Sequence, residues 1–248
     1  MKVKTILVSQ PEPKSDTSPY HELARKQKVS VDFRPFIHVE GVDGADVRQQ
    51  KVSITEHTAV ILTSRNAVDH YFRVCEEMRF EVPTAMKYFC MSEAIAFYLQ
   101  KYITYRKRKI YFGKQRFADL IDTIKKHKNE QFLLPSSDLL KPVIPELLED
   151  NKINYTRAIL YKTVCSDLSD LEDVFYDILV FFSPSGIKSL FQNFPDFVQN
   201  ETCIAAFGQT TVKAVTDAGL KVNIEAPSVK APSMSMALEQ YIKVANKK

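Results

Sequence analysis

The stretch at residues 202–222, TCIAAFGQTTVKAVTDAGLKV, decides the fold of its surroundings. Its apolar part, residues 204–207, predicts a strand that is covered on both faces. Gly208 then lets the chain turn without a Cβ clash, and Gly219 is placed to end the helix that follows. The stretch therefore predicts strand, turn, helix, turn and strand, as in a parallel α/β sheet.

The polar residues of this stretch lie where its helix begins. Gln209, Thr210 and Thr211 follow Gly208 directly. Free N–H groups at a helix N-terminus, next to the carboxyl end of a parallel strand, can bind an anion. Polar caps are also common at helix starts for structural reasons alone. The stretch by itself leaves both interpretations open.

Length and composition favour a globular protein and are compatible with a small acidic ligand. The 248 residues correspond to about one and a half to two domains. A hydrophobic fraction of 45% and a charged fraction of 26% indicate a real core. The net charge of +4 is compatible with an acidic small molecule and too weak to indicate nucleic acid.

The cysteines and the N-terminus predict a cytoplasmic protein. Cys75, Cys90, Cys165 and Cys203 form no C-x-x-C pair, so we expect reduced and mostly buried thiols. The apolar run at residues 6–8 is too short for a signal peptide, and no apolar run is long enough to span a bilayer.

Strands and helices alternate along the whole chain, and one half resembles the other. Predicted strands at residues 59–63 and 178–182 are followed by Ser64 and Ser183. In the first half the next strand ends at Met91, and in the second half the next strand is followed by Gly208. The separations are similar (91 − 64 = 27 and 208 − 183 = 25). We interpret this as a diverged duplication of one α/β domain.

Polar groups follow four predicted strands and form the candidate binding set. They are Thr63, Ser64, Arg65 and Asn66; Ser136; Ser183, Ser185 and Gly186; and Gly208, Gln209, Thr210 and Thr211. Each group has the composition of a helix cap. Together they have the composition of carboxylate receptors, with hydroxyls and backbone N–H groups at helix starts.

Several familiar chemistries have no signal in this sequence. Phosphate-loop, dinucleotide, nucleophile-elbow and zinc-protease motifs are all missing, and the five histidines have no metal-ligand spacing. The basic run at residues 106–109 has no aromatic or motif context, so it indicates a solvated loop more than a nucleic-acid surface. We therefore expect neither a metal nor a cofactor.

Four motifs in order resemble the uroporphyrinogen-III synthase family. They are LTSRNAV at residues 62–68, LYKTV at 160–164, FFSPSG at 181–186 and FGQTTVKA at 207–214. The chain departs from the family pattern at Met91, where glycine is usual, and at residues 136–138, where many members have a Gly-rich, Arg-containing turn. It also has Ser9-Gln10 where many members have Thr-Arg.

The resemblance implies a two-domain α/β fold with flavodoxin-like parallel sheets. One domain is discontinuous and comprises residues 1–34 and 167–248. The other is inserted at residues 40–156. Two paired strands, at residues 35–39 and 157–166, link the domains.

The resemblance also implies an activity. Hydroxymethylbilane, a linear tetrapyrrole with eight carboxylates, is closed to uroporphyrinogen III with inversion of the last ring and loss of water. Tyr161 is the implied acid, and the strand-end groups above are the implied substrate-binding residues. The reaction depends on positioning, without cofactor or metal, in a cytoplasmic monomer with no nucleic-acid or membrane partner.

Three alternatives belong to other classes. A non-catalytic binder of an anionic tetrapyrrole or other polycarboxylate would agree with the departures at Met91 and Ser136. A receiver domain would need an acidic cluster after its first strand, where this chain has Ser9-Gln10. A periplasmic binding module would need a signal sequence.

Overall fold

The computed structural model describes residues 2–247 and divides into two compact units. The first unit combines the N-terminal part of the chain through His38 with the C-terminal part from Val164. The second unit is the continuous segment Val39–Thr163. Of the segments predicted as linker strands, residues 35–38 thus fall in the first unit and residues 157–163 in the second.

Strands and helices alternate through most of the described chain. In chain order the strands are β1 (Thr5–Val8), β2 (Ser30–Phe33), β3 (Ile37–Gly41), β4 (Ala59–Leu62), β5 (Lys87–Cys90), β6 (Ile110–Phe112), β7 (Phe132–Ser137), β8 (Tyr155–Cys165), β9 (Ile178–Phe181), β10 (Cys203–Phe207) and β11 (Val222–Ala226). The α-helices are α1 (Pro19–Gln27), α2 (Gly44–Gln49), α3 (Arg65–Glu77), α4 (Glu93–Tyr98), α5 (Ala118–Lys125), α6 (Val143–Asp150), α7 (Pro184–Asn193), α8 (Gln209–Asp217) and α9 (Met234–Ala245). Short 3₁₀ turns occur at Ile54–Glu56, Leu99–Lys101 and Ser169–Leu171.

The sheet of the first unit is parallel throughout and has the order β11-β10-β9-β1-β2. Counted within the unit, this is the flavodoxin-like order 2-1-3-4-5. All four residues of β9 are buried. Val180 belongs to the apolar core on one face of the sheet, and Leu179 belongs to the core on the other. Such double coverage explains why the central strand is a continuous apolar run.

The sheet of the second unit has the order β3-β8-β7-β4-β5-β6. The pairs from β8 to β6 are parallel. At the β3 edge, the Ser166 N–H donates to the Phe36 carbonyl and the Val42 N–H donates to the Leu160 carbonyl, both at 2.9 Å. Residue numbers rise on one side as they fall on the other, so β3 and β8 are antiparallel.

The two sheets have the same spatial order of parallel strands, but the chain enters that order at a different strand in each unit. Strands β6-β5-β4-β7-β8 of the second unit correspond to β11-β10-β9-β1-β2 of the first. Ser64 follows β4 and Ser183 follows β9, so this predicted match lies after equivalent strands. Met91 and Gly208 likewise follow the equivalent strands β5 and β10. The strand-end groups of the two units therefore occupy corresponding places.

The structure corrects several predicted boundaries. The apolar pattern of the sequence predicts that helices α3 and α7 begin at residues 67 and 187, but in the structure they begin at Arg65 and Pro184. The reason is local, because Ser64 and Ser183 cap the helices and the fixed φ of Pro184 suits a first helical position. Strand β7 runs through Ser137, where the family pattern implies a turn. Within residues 2–247, no helix is long and apolar enough to cross a membrane.

Candidate active site

Ser64 and Ser183 begin the helices that follow the two equivalent central strands. Ser64 has extended backbone, and its Oγ accepts the Ala67 N–H at 3.1 Å. Ser183 is also extended, and its Oγ accepts the Gly186 N–H at 3.3 Å. Each cap satisfies one of the orphan donors of its helix, while other first-turn N–H groups have no intrahelical acceptor. Both helix starts can therefore attract a carboxylate.

The turn at Gly208 provides a third helix start with different chemistry. Gly208 has φ +85° and ψ 148°, a backbone conformation that L side chains rarely adopt. Its carbonyl accepts the N–H groups of Thr211 and Val212, both at 3.0 Å, and so starts α8. Gln209 and Thr210 are exposed, and their N–H groups precede the first intrahelical bond. Two backbone donors are thus left for a ligand at the positive end of the helix.

Tyr161 lies on β8 and is directly connected to the Ser64 cap. Its hydroxyl is 3.2 Å from the Ser64 Oγ, across 97 residues of sequence. Because that Oγ already accepts the Ala67 N–H, the Ser64 hydroxyl proton remains available for the Tyr161 oxygen. In that arrangement the phenol proton is free for another acceptor. The pair joins a helix cap and a proton donor within the second unit.

The phenol of Tyr161 is a neutral donor under physiological conditions. Burial raises its pKa above the ordinary value for tyrosine, and the hydrogen bond with Ser64 opposes that rise in part. Since the ordinary value is about 10, the hydroxyl keeps its proton well into the alkaline range. The group can donate a hydrogen bond or assist a proton transfer, but it is a poor base.

Arg65 is the cation among the predicted binding residues. Its guanidinium carbon lies 5.2 Å from the centre of the Tyr98 ring. The Tyr98 hydroxyl in turn donates to both carboxylate oxygens of Asp69, at 2.9 and 2.8 Å. Arg65 and the adjacent Asn66 are exposed, and Thr63 and Ser64 are half-buried. The group after β4 thus combines first-turn N–H groups with one accessible positive charge.

Three predicted site residues differ in accessibility from the sequence prediction. Ser136 is fully buried, and its Oγ accepts the Arg157 Nε–H at 2.9 Å, because β7 continues past the expected turn. Gly186 is buried and its N–H is engaged by Ser183; a Cβ there would lie 3.2 Å from the Phe181 ring. Thr211 is fully buried. Ser185, by contrast, is half-buried.

Thr211 carries an unusual hydroxyl. Among residues 2–247, its buried Oγ1 has no hydrogen-bond partner. The residue shares a helical face with Val215, which is also buried, and this spacing draws the side chain toward the core. A buried polar atom without a partner lowers stability unless a ligand supplies the partner.

His70 and Arg73 belong to the site although the sequence does not predict them there. The imidazole of His70 stacks on the Tyr161 ring, with 5.0 Å between ring centres and 18° between ring planes. The Arg73 Nε–H donates to His70 Nδ1 at 3.2 Å. The one sequence signal is their i, i+3 spacing on the helix that Ser64 caps. In the sequence, the histidines are candidates only for metal ligands. The residues that the structure describes contain no group of acidic, His or Cys side chains arranged for a metal.

Comparison with known proteins gives consistent similarities. The family described as "Uroporphyrinogen-III synthase HemD" matches residues 18–235. A uroporphyrinogen-III synthetase structure from Helicobacter pylori 26695 has 17% sequence identity and a TM-score of 0.63, covering 98% of this chain and 100% of that chain. A mutant uroporphyrinogen III synthase from Thermus thermophilus has 12% identity and a TM-score of 0.55, covering 99% and 100%. At these identities the two structures demonstrate a shared fold. No curated protein sequence matches the chain.

Proposed function

The chain belongs to the uroporphyrinogen-III synthase family, and from this premise we propose how its residues close hydroxymethylbilane to uroporphyrinogen III. The reaction removes water, inverts the last ring and needs no redox change. Its difficulty is conformational, because the reactive azafulvene closes without enzyme to the wrong isomer. Holding the chain so that the substituted carbon of the last ring attacks is catalysis by positioning.

The strand-end groups are the proposed carboxylate receptors. Helix starts after β4, β9 and β10 offer hydroxyls and first-turn N–H groups, and Arg65 adds an accessible charge. Such donors suit a polyanion, because helix N-termini favour negative charge. A site built from them also avoids the free-energy cost of desolvating a buried lysine or arginine. Thr63, Ser64, Asn66, Ser183, Ser185 and Thr210 hold this role in the proposal. Gln209 holds it through its backbone N–H, because its side-chain amide donates to Glu225 at 2.6 Å. Thr211 joins them in the bound state, where the ligand supplies the partner that its buried hydroxyl lacks. Ser136 and Gly186 do not hold this role, because their polar groups are already engaged.

The hydrogen bond between Ser64 and Tyr161 is the observation that carries the proposed mechanism. The Ser64 hydroxyl donates to the Tyr161 oxygen and thereby leaves the phenol proton for the departing hydroxyl of the substrate. The pyrrole nitrogen supplies electrons as the carbon–oxygen bond breaks. Loss of the pyrrole N–H proton gives the neutral azafulvene, and this proton balances the hydroxyl that departs as water. Hydrogen bonding by a neutral phenol assists this departure without full ionisation of the tyrosine.

The proposal includes a cytoplasmic monomer. Ser64 and Tyr161 come from one chain, so the donor pair does not need a second copy. All four cysteines are free thiols, and three are buried, as suits a reducing compartment. The reaction itself is tested by supplying hydroxymethylbilane to the purified chain and separating the product isomers.

Thr211→Val tests the proposed ligand contact at the start of α8. The change keeps the shape of the side chain and removes a buried hydroxyl without a partner, so the free protein should gain about 1 kcal/mol in free energy of unfolding. Affinity for uroporphyrinogen III should fall about five- to tenfold, the size of one neutral hydrogen bond. Denaturant unfolding and calorimetric titration measure the two quantities.

Thr216→Val is the matched control at the other end of α8. Its exposed hydroxyl donates to the Val212 carbonyl at 3.0 Å, away from the helix start. We expect unchanged product affinity for this variant. If Thr211→Val is more stable and binds product as tightly as the unmodified chain, Thr211 is a structural residue and the ligand is held by its neighbours.

A further inference from the structure

Tyr161 packs against a histidine, His70, that has no role in the proposed reaction steps. His70 lies in the second turn of α3, the helix that Ser64 caps, and its ring is nearly parallel to the phenol ring. Tyr161 therefore has two neighbours from one helix. Ser64 contacts its hydroxyl and His70 contacts its ring face. A shift of either neighbour would change where the hydroxyl points.

Arg73 fixes His70 against the strand that carries Tyr161. Its Nε donates to His70 Nδ1, and its Nη2 donates to the carbonyls of Val42 at 2.7 Å and Leu160 at 3.2 Å. Leu160 is the chain neighbour of Tyr161. One guanidinium thus holds both the imidazole and the backbone next to the phenol. Its Nη1 bonds to Glu77 one turn later on α3.

These bonds determine the protonation state of His70. A guanidinium only donates, so Nδ1 must be the acceptor and the ring proton must be on Nε2. A second ring proton would face the Arg73 N–H and place two positive charges together. Burial and Arg73 lower the pKa of His70, while Asp69 and Glu77 oppose this in part. The imidazole is neutral at pH 7.

We propose that His70 is a positioning residue for Tyr161, held by Arg73 so that its ring keeps the phenol hydroxyl on Ser64 and directed at the substrate. The inference rests on the proposed role of Tyr161 and adds the device that orients it. No covalent step involves the imidazole. The charged and titratable groups around it are Arg73, Asp69 and Glu77 on α3 and Tyr161 on β8.

The proposal has a pH signature with a definite sign. His70 stays neutral as the pH falls through about 6.5, its ordinary value, because its pKa in the folded protein is lower. Protonation below that lowered pKa places a cationic imidazole against the Arg73 guanidinium, and this repulsion loosens the stack. Turnover should therefore have an acid limb that His70→Phe, which stacks but cannot titrate, no longer shows.

Kinetics of a double-mutant set test the inference. His70→Ala should lower kcat about tenfold with KM changed less than about twofold, and His70→Phe should retain at least about half of kcat. In the Tyr161→Phe background, His70→Ala should have no further effect, because it acts through the lost hydroxyl. His127→Ala is the matched control, since His127 also packs on a tyrosine, Tyr111, at 4.5 Å between ring centres. Its kcat should be unchanged.

Each contrary outcome identifies what has failed. Wild-type kcat in Tyr161→Phe overturns the proposed function and this inference with it. The inference alone is overturned if Tyr161→Phe has a low kcat and His70→Ala has a normal one. It is also overturned if His70→Ala lowers kcat equally in the unmodified chain and in Tyr161→Phe. If His70→Ala does not fold, the pH profile of His70→Phe decides, and an acid limb that persists there overturns the positioning role.

Discussion

Tyr161→Phe should lower kcat by about 30- to 160-fold, equivalent to about 2–3 kcal/mol of transition-state stabilisation. The variant keeps the ring that stacks on His70 and removes the one hydroxyl proposed to reach the leaving group. Ser64 retains its bond to the Ala67 N–H, so the helix cap survives. The loss should therefore fall on turnover, with KM and the melting temperature nearly unchanged.

Tyr155→Phe is the matched control for this result. Tyr155 is on the same strand, and its hydroxyl bonds to Glu149 at 3.1 Å, apart from the Ser64 pair. Steady-state kinetics of both variants, with thermal melts, separate catalysis from folding. A folded Tyr161→Phe with the kcat of the unmodified chain would mean that Tyr161 is not the acid and that the site is centred on the Gly208 turn.

Gly208→Ala should destabilise the protein by on the order of 2 kcal/mol through backbone strain. With φ +85° and ψ 148°, Gly208 occupies a region that is almost restricted to glycine. No atom lies within 4 Å of a Cβ built there, so the effect is strain and not a clash. For a chain of this size the melting temperature should fall by about 4–8 °C. Relaxation of the strain would rotate the first N–H groups of α8 and weaken product binding.

Gly219→Ala separates that local effect from general destabilisation. Gly219 follows the other end of α8, has φ +76° and also has open space around a built Cβ. Both variants should melt earlier, but only Gly208→Ala should bind uroporphyrinogen III more weakly. Equal product affinity in the two variants, measured below their melting temperatures, would remove the Gly208 turn from the binding site.

Local sequence predicts the strand ends well because local chemistry determines them. Gly208 is predicted to form a turn that a residue with a Cβ would resist, and its positive φ confirms that prediction. Ser183 before Pro184 is predicted to cap a helix, and its Oγ does so. The burial of Thr211 could be predicted from its i, i+4 spacing to Val215. Because Thr211 follows the Gly208 turn, the sequence predicts an accessible hydroxyl there, but the position of the residue on the helix directs its side chain into the core.

The tertiary part of the site cannot be derived in the same way. The contact between Ser64 and Tyr161 joins α3 to β8, and nothing in either local sequence indicates that these two elements meet there. The same holds for His70, whose stacking partner is on that strand. The polar residues next to Ser136 predict a turn there. In the structure the strand continues, and Arg157 on the adjacent strand donates to the Ser136 hydroxyl and to the Ser137 carbonyl. Such partners depend on the strand order.

The most direct test of the account is the isomer formed from hydroxymethylbilane. The substrate is supplied to the purified chain with a chelator present, and isomers I and III are separated chromatographically beside a reaction without enzyme. Because the enzyme positions the last ring, the account predicts mainly isomer III, and Tyr161→Phe should form it more slowly with the same preference. A product that is isomer I, at the rate of the reaction without enzyme, would contradict the account.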